Sequence, residues 1–507
     1  MVAEPKNSAT KLACDQAIFT SIRTPMGEGY RIIAASRGLR PDEKQEITRS
    51  SPSHDSLCWT PAEEHDLPGR LAAAFYVLPT GRLCAALSQY AGEEHTGRGG
   101  HRVYTHNVIF DAADFPNASF NAFVVLRAMV DTGLTEPKLR PPQTLPPLSL
   151  ELDGLPSEIP FDMPEVFDET DIPRFDSCHE DDEDFWGALG TPWRCHVLEA
   201  ILEKHNVVVN LTERWTECAE ALLMGVPGPM RAGISFSAGI KYSVGRRHML
   251  SLIHDETGAT KTRVSGRDVV LVDPTDALPK STGTSSHWLR FIERHWAKGD
   301  LFGLSRRTSQ TFARMDAAGR DQIAQGFEEI DALSASSTDN LLKILSEHLP
   351  TADPQSPTSI ERMNTAGHVL ARRFQETAWS EANIFWPDVA ALPKESPTAT
   401  RLVKPLIQSL LESAAQEHPL VAAEAALAVF RNAPGDSDDF SSIRDKLLKQ
   451  LLDSLETATE AQRLRPCGSK ESLETVLGEW CRILPNHPTV QRINQHLGTV
   501  ASPGTAR

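Results

Sequence analysis

The sequence lacks the motifs by which many enzymes are recognised. It has no GxxxxGK[ST] phosphate-binding loop, no HExxH zinc motif and no GxSxG nucleophile motif. The run that starts at Gly233 resembles GxSxG, but Ser237 occupies the position of its second glycine. Its 8 cysteines include no CxxC pair, which indicates neither a zinc ribbon nor a dense disulfide framework. We therefore expect no metal and no cofactor. Whether the protein is an enzyme stays open, with a non-enzymatic role favoured.

Long apolar runs and a basic stripe are also missing. No run approaches the ~20 residues that a membrane span needs, and the first residues lack an apolar signal core. The net charge of −17 is concentrated in residues 151–187, where fourteen carboxylates accompany one arginine. The remainder carries no basic stripe that would follow a phosphate backbone. We expect a cytoplasmic protein with no membrane span and no nucleic-acid partner.

The 507 residues are too many for one hydrophobic core. The patterns predict an α+β protein: two mixed α/β domains at the N-terminus, joined by an acidic Pro-rich linker and followed by an all-α helical array. The predicted boundaries are 1–135 for the N-terminal α+β domain, 136–190 for the linker or wrapping segment, 191–280 for the middle α/β domain and 285–500 for the helical region.

Turn residues and alternating patterns predict about five strands in the N-terminal domain. A hairpin at residues 16–36 leads to a helix near 41–50, and a second hairpin turns at Thr80-Gly81. The first arm of the second hairpin, RLAAAFYVLP, is apolar on both faces, which indicates an interior strand. The run HRVYTHNVIF is a further strand, and Asn117 is predicted to cap the next helix.

The best candidate site is the stretch EEHTGRGGHRVYTH at residues 93–106. Its candidate side chains are Glu93, Glu94, Arg98, Arg102, Tyr104 and His106. On an extended strand the last three share one face. Arg98 and Arg102 could hold a phosphate or carboxylate, His106 could donate or accept a proton, and a glutamate could orient it. Alternatively, this is a solvated strand face on which His106 bonds to a neighbouring strand.

Two weaker candidates stand beside it. Gly27 and Gly29 could bring backbone amides to an anion, although a glycine-containing hairpin loop is the commoner structure. Arg246, Arg247 and His248 form a basic cluster. We interpret that cluster as a solvent-facing strand end or as a contact for the acidic segment.

The order of motifs resembles the bacterial GTPase-associated protein family. The N-terminal part resembles its type 2 N-terminal domain through QAIFTS at 16–21, GY at 29–30, AASRGLRP at 34–41, GRGG at 97–100 and YTH at 104–106. Residues 192–275 resemble its middle domain through Leu222-Leu223, Pro227, Arg231 and ISFS at 234–237. The resemblance implies a cytoplasmic component encoded with small GTPases in bacterial regulatory or conflict systems, with no established catalytic residues.

Three functions follow as hypotheses. The first is a non-enzymatic regulator or adaptor that works with a small GTPase through protein–protein interaction. The second is an enzyme or ligand sensor acting on a phosphorylated or nucleotide ligand through Arg98, Arg102 and His106. The third is a purely structural scaffold.

Overall fold

The computed structural model describes most of the chain. The described residues are 10–24, 27–59, 70–94, 100–138, 140–152, 189–246, 248–264, 267–276, 286–309, 316–348, 357–392, 397–417, 419–432, 441–457, 470–484 and 487–500. They divide into two compact units, with the division between residues 324 and 325. Among the helices formed by these residues, none is long and apolar enough to cross a membrane.

One mixed sheet of eleven strands forms the framework of the first unit. The strands are β1 (Thr10–Thr24), β2 (Gly27–Ser36), β3 (Ala72–Val77), β4 (Leu83–Glu93), β5 (His101–Phe110), β6 (Thr144–Leu145), β7 (Leu148–Leu152), β8 (Asn206–Asn210), β9 (Phe236–Ala238), β10 (Leu250–Ile253) and β11 (Val269–Val272). Their order is β11-β8-β10-β9-β3-β4-β5-β1-β2-β6, and β7 pairs with β1. The predicted α+β class is confirmed, because a helical region follows this sheet.

Strand β3 connects the two halves of the sheet. It is antiparallel to β4 on one side and to β9 on the other, with Phe75 opposite both Ala85 and Phe236. Both of its faces are buried, as its apolar pattern predicts. The strands of the predicted N-terminal and middle domains therefore lie in one continuous sheet, whose β8–β11 part is parallel.

Eight α-helices accompany the sheet in the described part of this unit. They are α1 (Pro41–Ser50), α2 (Ala122–Asp131), α3 (Thr191–Leu202), α4 (Trp215–Met224), α5 (Gly228–Arg231), α6 (Ala259–Val264), α7 (His287–Ala297) and α8 (Leu301–Ser309). The predicted cap of α2 is wrong. Asn117 lies in a 3-10 helix, Ala112–Ala118, and two left-handed residues then redirect the chain so that Asn121 caps α2 by accepting from the Phe123 amide.

Part of the linker or wrapping segment predicted for residues 136–190 forms two strands. Strand β6 pairs with the end of β2, and β7 pairs with the start of β1. The alternation in LSLEL buries Leu150 and Leu152, so this proline-rich stretch forms edge strands rather than a linker. Residues 153–188 lie outside the described residues.

The second unit is helical, as predicted for the region from residue 285. Its described α-helices are α9 (Ala317–Asp331), which crosses the division, α10 (Thr338–His348), α11 (Pro357–Glu376), α12 (Trp379–Ala382), α13 (Trp386–Ala391), α14 (Pro397–Glu417), α15 (Pro419–Asn432), α16 (Ser441–Thr457), α17 (Lys470–Ile483) and α18 (Pro488–Val500). The apolar faces of α10 to α18 form one core that includes Leu410, Leu448 and Trp480.

The predicted helical region does not all belong to the second unit. Helices α7 and α8 pack on the sheet unit, where the Trp288 indole donates to the Gly225 carbonyl (2.9 Å) and the Trp296 indole donates to the Ala221 carbonyl (3.2 Å). Both tryptophans are buried, which places these helices in the first unit.

Candidate functional site

The two glycine-bearing candidate stretches lie at the same end of the sheet. Strand β1 is antiparallel to β2 on one side and to β5 on the other, with Thr24 opposite Gly27 and Thr20 opposite Tyr104. The end of β1 therefore lies beside the starts of both β2 and β5. The loop that carries Arg98, at 95–99, lies outside the described residues.

Four polar side chains form a cluster at this end, which we call the strand-end cluster: Ser21, Tyr30, Glu94 and Arg102. The Ser21 hydroxyl donates to the Glu94 carboxylate (2.6 Å), and the Val103 amide donates to the Tyr30 hydroxyl (3.0 Å). Burial raises the pKa of Tyr30, and a hydrogen bond to Glu94 raises it further, while the Val103 amide and the Arg102 charge lower it. The cluster holds β1, β2, β4 and β5 together.

In this cluster, Arg102 forms a hydrogen bond to the backbone. Its guanidinium is buried, and Nε donates to the Ala91 carbonyl at 3.0 Å. The recipient carbonyl lies where the register between β4 and β5 shifts, between Tyr90 and Glu93. A bulge of this kind leaves backbone groups without hydrogen-bond partners in the neighbouring strand, and Arg102 supplies a donor to one of them. Glu93 itself is exposed, opposite His101.

Tyr104 and His106 share a face of β5, and that face is covered. Tyr104 packs in an apolar cluster with Ile18 and Leu145. The His106 side chain is only 2% exposed, and its Nε2 pairs with Gln16 Oε1 at 3.0 Å. The segment that follows α2 returns across this face.

Burial lowers the pKa of His106 to about 4, and the nearby positive charge of Lys138 acts in the same direction. A carbonyl at Leu134 opposes the shift. His106 is therefore a neutral imidazole near pH 7, held in a hydrogen bond between strands. The alternative interpretation of the sequence also bonded His106 to a neighbouring strand, but it placed this face in solvent, and the structure buries it.

Gly27 and Gly29 continue the ladder of the β1–β2 hairpin. Gly29 lies opposite Ile22, and Gly27 lies opposite Thr24. Gly29 has a φ of +143°, which favours glycine, but a side chain there would meet open space. Gly29 thus has a conformational role in the hairpin, whereas the predicted role of Gly27 and Gly29 in anion binding stays a prediction.

Sequence reasoning missed two buried charged residues, Glu220 and Arg231, and their partners. Glu220 on α4 accepts from Arg127 (3.0 Å) and from Asn121 (2.6 Å), both at α2. Burial raises the pKa of Glu220, while Arg127 and Asn121 lower it. Arg231, 3% exposed, donates to the carbonyls of Val226 (2.8 Å) and Met224 (3.0 Å). A charged residue inside an apolar helical stripe was the available signal.

The basic cluster at residues 246–248 also differs from its prediction. His248 is buried beside the Tyr76 ring, rather than facing solvent, and burial lowers its pKa to about 3. Arg247 lies outside the described residues. Within the described ranges, no three His, Cys, Asp or Glu side chains come together in a way that could hold a metal ion.

The chain matches one known family over the first part of the sheet. Residues 13–149 match the family described as GTPase-associated protein 1, N-terminal domain type 2. The matched range includes nearly all of β1 and extends into β7, with the whole strand-end cluster inside it. No curated protein matches the chain.

Proposed function

Because residues 13–149 match the family described as GTPase-associated protein 1, N-terminal domain type 2, we propose that this chain is a non-enzymatic regulator or adaptor of a small GTPase. It acts in the cytoplasm, in a bacterial regulatory or conflict system. The single observation that carries the proposal is the family match. It names an association with a GTPase, whereas the regulatory role and the biological setting are our extension.

The positions of the candidate side chains support a binding role over a catalytic one. A general acid or base needs hydrogen-bond reach to its substrate and a pKa near the working pH. His106 is buried against Gln16, with its pKa lowered to about 4. Arg102 donates to a backbone carbonyl. These residues stabilise the sheet, and we propose that recognition takes place on the outer surfaces.

The helical unit folds around a hydrophobic core of its own. Its core is formed by residues of helices α10 to α18 and includes the indole of Trp480, which donates to the Ala423 carbonyl (3.1 Å). We propose that the sheet unit engages the GTPase and that the helical unit docks another protein.

A binding experiment with a purified small GTPase from the same cells tests the proposal. The full chain is titrated with the GTPase loaded with GDP or with a non-hydrolysable GTP analogue, by calorimetry. We expect saturable binding that differs between the two nucleotide states, and a changed rate of GTP hydrolysis. Equal failure with both loaded forms, under conditions in which the chain is folded by circular dichroism, would contradict the proposal.

The enzyme or ligand-sensor alternative has one observation in its favour. Arg102 and Glu94 converge at the end of the sheet where the chain enters and leaves residues 95–99. A thermal-shift panel of nucleotides tests it, since ligands that bind the native state raise its melting temperature. A rise of several degrees that Arg98→Ala abolishes would favour this alternative. A scaffold predicts no nucleotide response and tolerance of substitution at Arg98.

A further inference from the structure

The outer edge of β2 is largely open in the described part of the chain. One side of this strand pairs with β1 along its length. On the other side β6 pairs only with Ala35 and Ser36, and the Ala35 amide donates to the Gln143 carbonyl at 3.1 Å. From Gly27 to Ala34, no described strand is paired with this edge. An open edge presents backbone donors and acceptors that can pair with an added strand.

A groove lies between α1 and the β2 part of the sheet. The side of α1 that lines it consists of Pro41, Lys44, Gln45, Thr48 and Arg49. The first four follow the spacing of one helix face, while Glu43 and Ile47 are buried on another side. The strand side of the groove is formed by residues 31–35 together with Ile22. The helix thus faces β2 across the groove and presents mainly polar side chains to the space between them.

The lining of the groove combines apolar and basic groups. Ile22, Ile32 and Ile33 are half-buried along it. Arg31, Lys44 and Arg49 supply its charged groups, and no carboxylate occurs among its described lining residues. Glu46, which pairs with Arg49 at 2.7 Å, lies outside the lining. An occupant with apolar and acidic side chains would complement this surface.

We infer that the open edge of β2 accepts an extended, acidic segment of a protein partner as an added strand. Backbone hydrogen bonds to residues 27–34 supply the pairing. Apolar side chains of the segment contact the isoleucines, and its carboxylates lie near Lys44 and Arg49. This inference gives the chemistry of a docking segment. The inference deepens the proposed function if the GTPase carries the acidic segment. The binding surface itself is the same whichever protein carries that segment.

A peptide experiment with the full chain tests this inference without the GTPase. The probe is a fluorescent peptide of alternating glutamate and valine, about seven residues long, which matches the usual length of a strand. We expect saturable binding with a Kd below about 1 mM, measured by fluorescence anisotropy. Hydrogen-exchange mass spectrometry should show the peptide protecting amides within residues 27–34.

Two peptide controls separate strand addition from simple charge attraction. A fully N-methylated peptide of the same sequence keeps its charges but has no backbone donors, so it should not bind. A peptide of alternating lysine and valine should not bind either, because its charges repel the basic groove. Equal binding of the N-methylated peptide, no saturable binding of the glutamate peptide, or protection confined to other strands would each overturn the inference.

A charge-reversal pair supplies the matched protein variant. Lys44→Glu with Arg49→Glu changes two side chains on the accessible side of α1 and should weaken peptide binding by at least about tenfold. Lys261→Glu with Arg263→Glu makes the same charge change on α6, which does not line the groove, and should have little effect. Equal affinity of both variants would refute the role of the groove. Failure of the GTPase titration alone would contradict the proposed function and leave the peptide result standing.

Discussion

Buried neutral histidines should make the sheet unit sensitive to mild acid. The pKa of His106 falls from 6.5 to about 4 on folding, and that of His248 falls to about 3. Because both folded-state values lie below the unfolded value, the unfolded chain binds more protons as the pH falls. The contribution of these two histidines to stability is therefore fully present above about pH 6.5, and it is lost as the pH falls towards their folded-state pKa values.

The size of this loss follows from the same shifts. At about pH 5, the unfolded state gains about 2 kcal/mol from protonating one such histidine, and the loss for His106 reaches about 3 kcal/mol once the pH is below both of its pKa values. His106→Gln should remove the contribution of that residue to the slope, since glutamine does not titrate. His205, whose side chain is 41% exposed, gives the matched control variant His205→Gln.

The assay must report on the sheet rather than on the whole chain, because a chain with two units need not unfold in one step. Urea unfolding is followed by pulsed hydrogen exchange of a peptide that contains β5, at about pH 7 and about pH 5. Between about pH 7 and about pH 5, the free energy of opening should fall by about 2 kcal/mol less in His106→Gln than in the parent chain or in His205→Gln. An unchanged acid slope in His106→Gln would refute the assignment of a neutral buried imidazole.

Three further changes test other parts of the structure. Gly100→Ala should lower the melting temperature more than Gly81→Ala, because both glycines have a φ near +85° but only at Gly100 would the new Cβ collide with a neighbouring side chain; equal shifts would exclude that collision. Arg127→Ala should cost about 2 kcal/mol by leaving Glu220 without its ion pair, and a double variant with Glu220→Gln should recover part of the loss in urea titrations. Trp480→Ala should destabilise the helical unit by about 3–5 kcal/mol, measured by exchange of peptides from that unit, and a cost near zero would contradict its burial.

The elements of the sheet were largely predictable, because local patterns determine them. Alternation and turn residues located the hairpin of β1 and β2, and the apolar arm that became β3 was recognised as an interior strand. The partner on its second edge was not predictable, since β9 lies more than a hundred residues away and has only three residues. The same limit hid β6 and β7, whose proline-rich sequence is typical of a linker.

The candidate site was predictable in position but not in exposure. Alternation placed Arg102, Tyr104 and His106 on one face of β5, and the register with β1 agrees for Tyr104 and His106. The segment that follows α2 covers that face. The Gln89 side chain donates a hydrogen bond to the Thr135 carbonyl of this segment. The local sequence of a strand does not show whether a distant segment covers it. A strand face with polar residues is therefore predicted to be exposed.

The pairing of β3 with β9 has a consequence for the family domain. The matched range, residues 13–149, contains β3 but not β9, so a fragment ending there would expose the second edge of β3 together with buried side chains such as Phe75. It would also remove Glu220, the ion-pair partner of Arg127.

Exposed interior edges promote aggregation. We expect a fragment of residues 10–152 to aggregate, and one of residues 10–309 to elute as a compact species in size-exclusion chromatography. A monodisperse short fragment with native circular dichroism would show that the domain closes its sheet without β9. Binding measurements on the GTPase should therefore use the chain with its whole sheet.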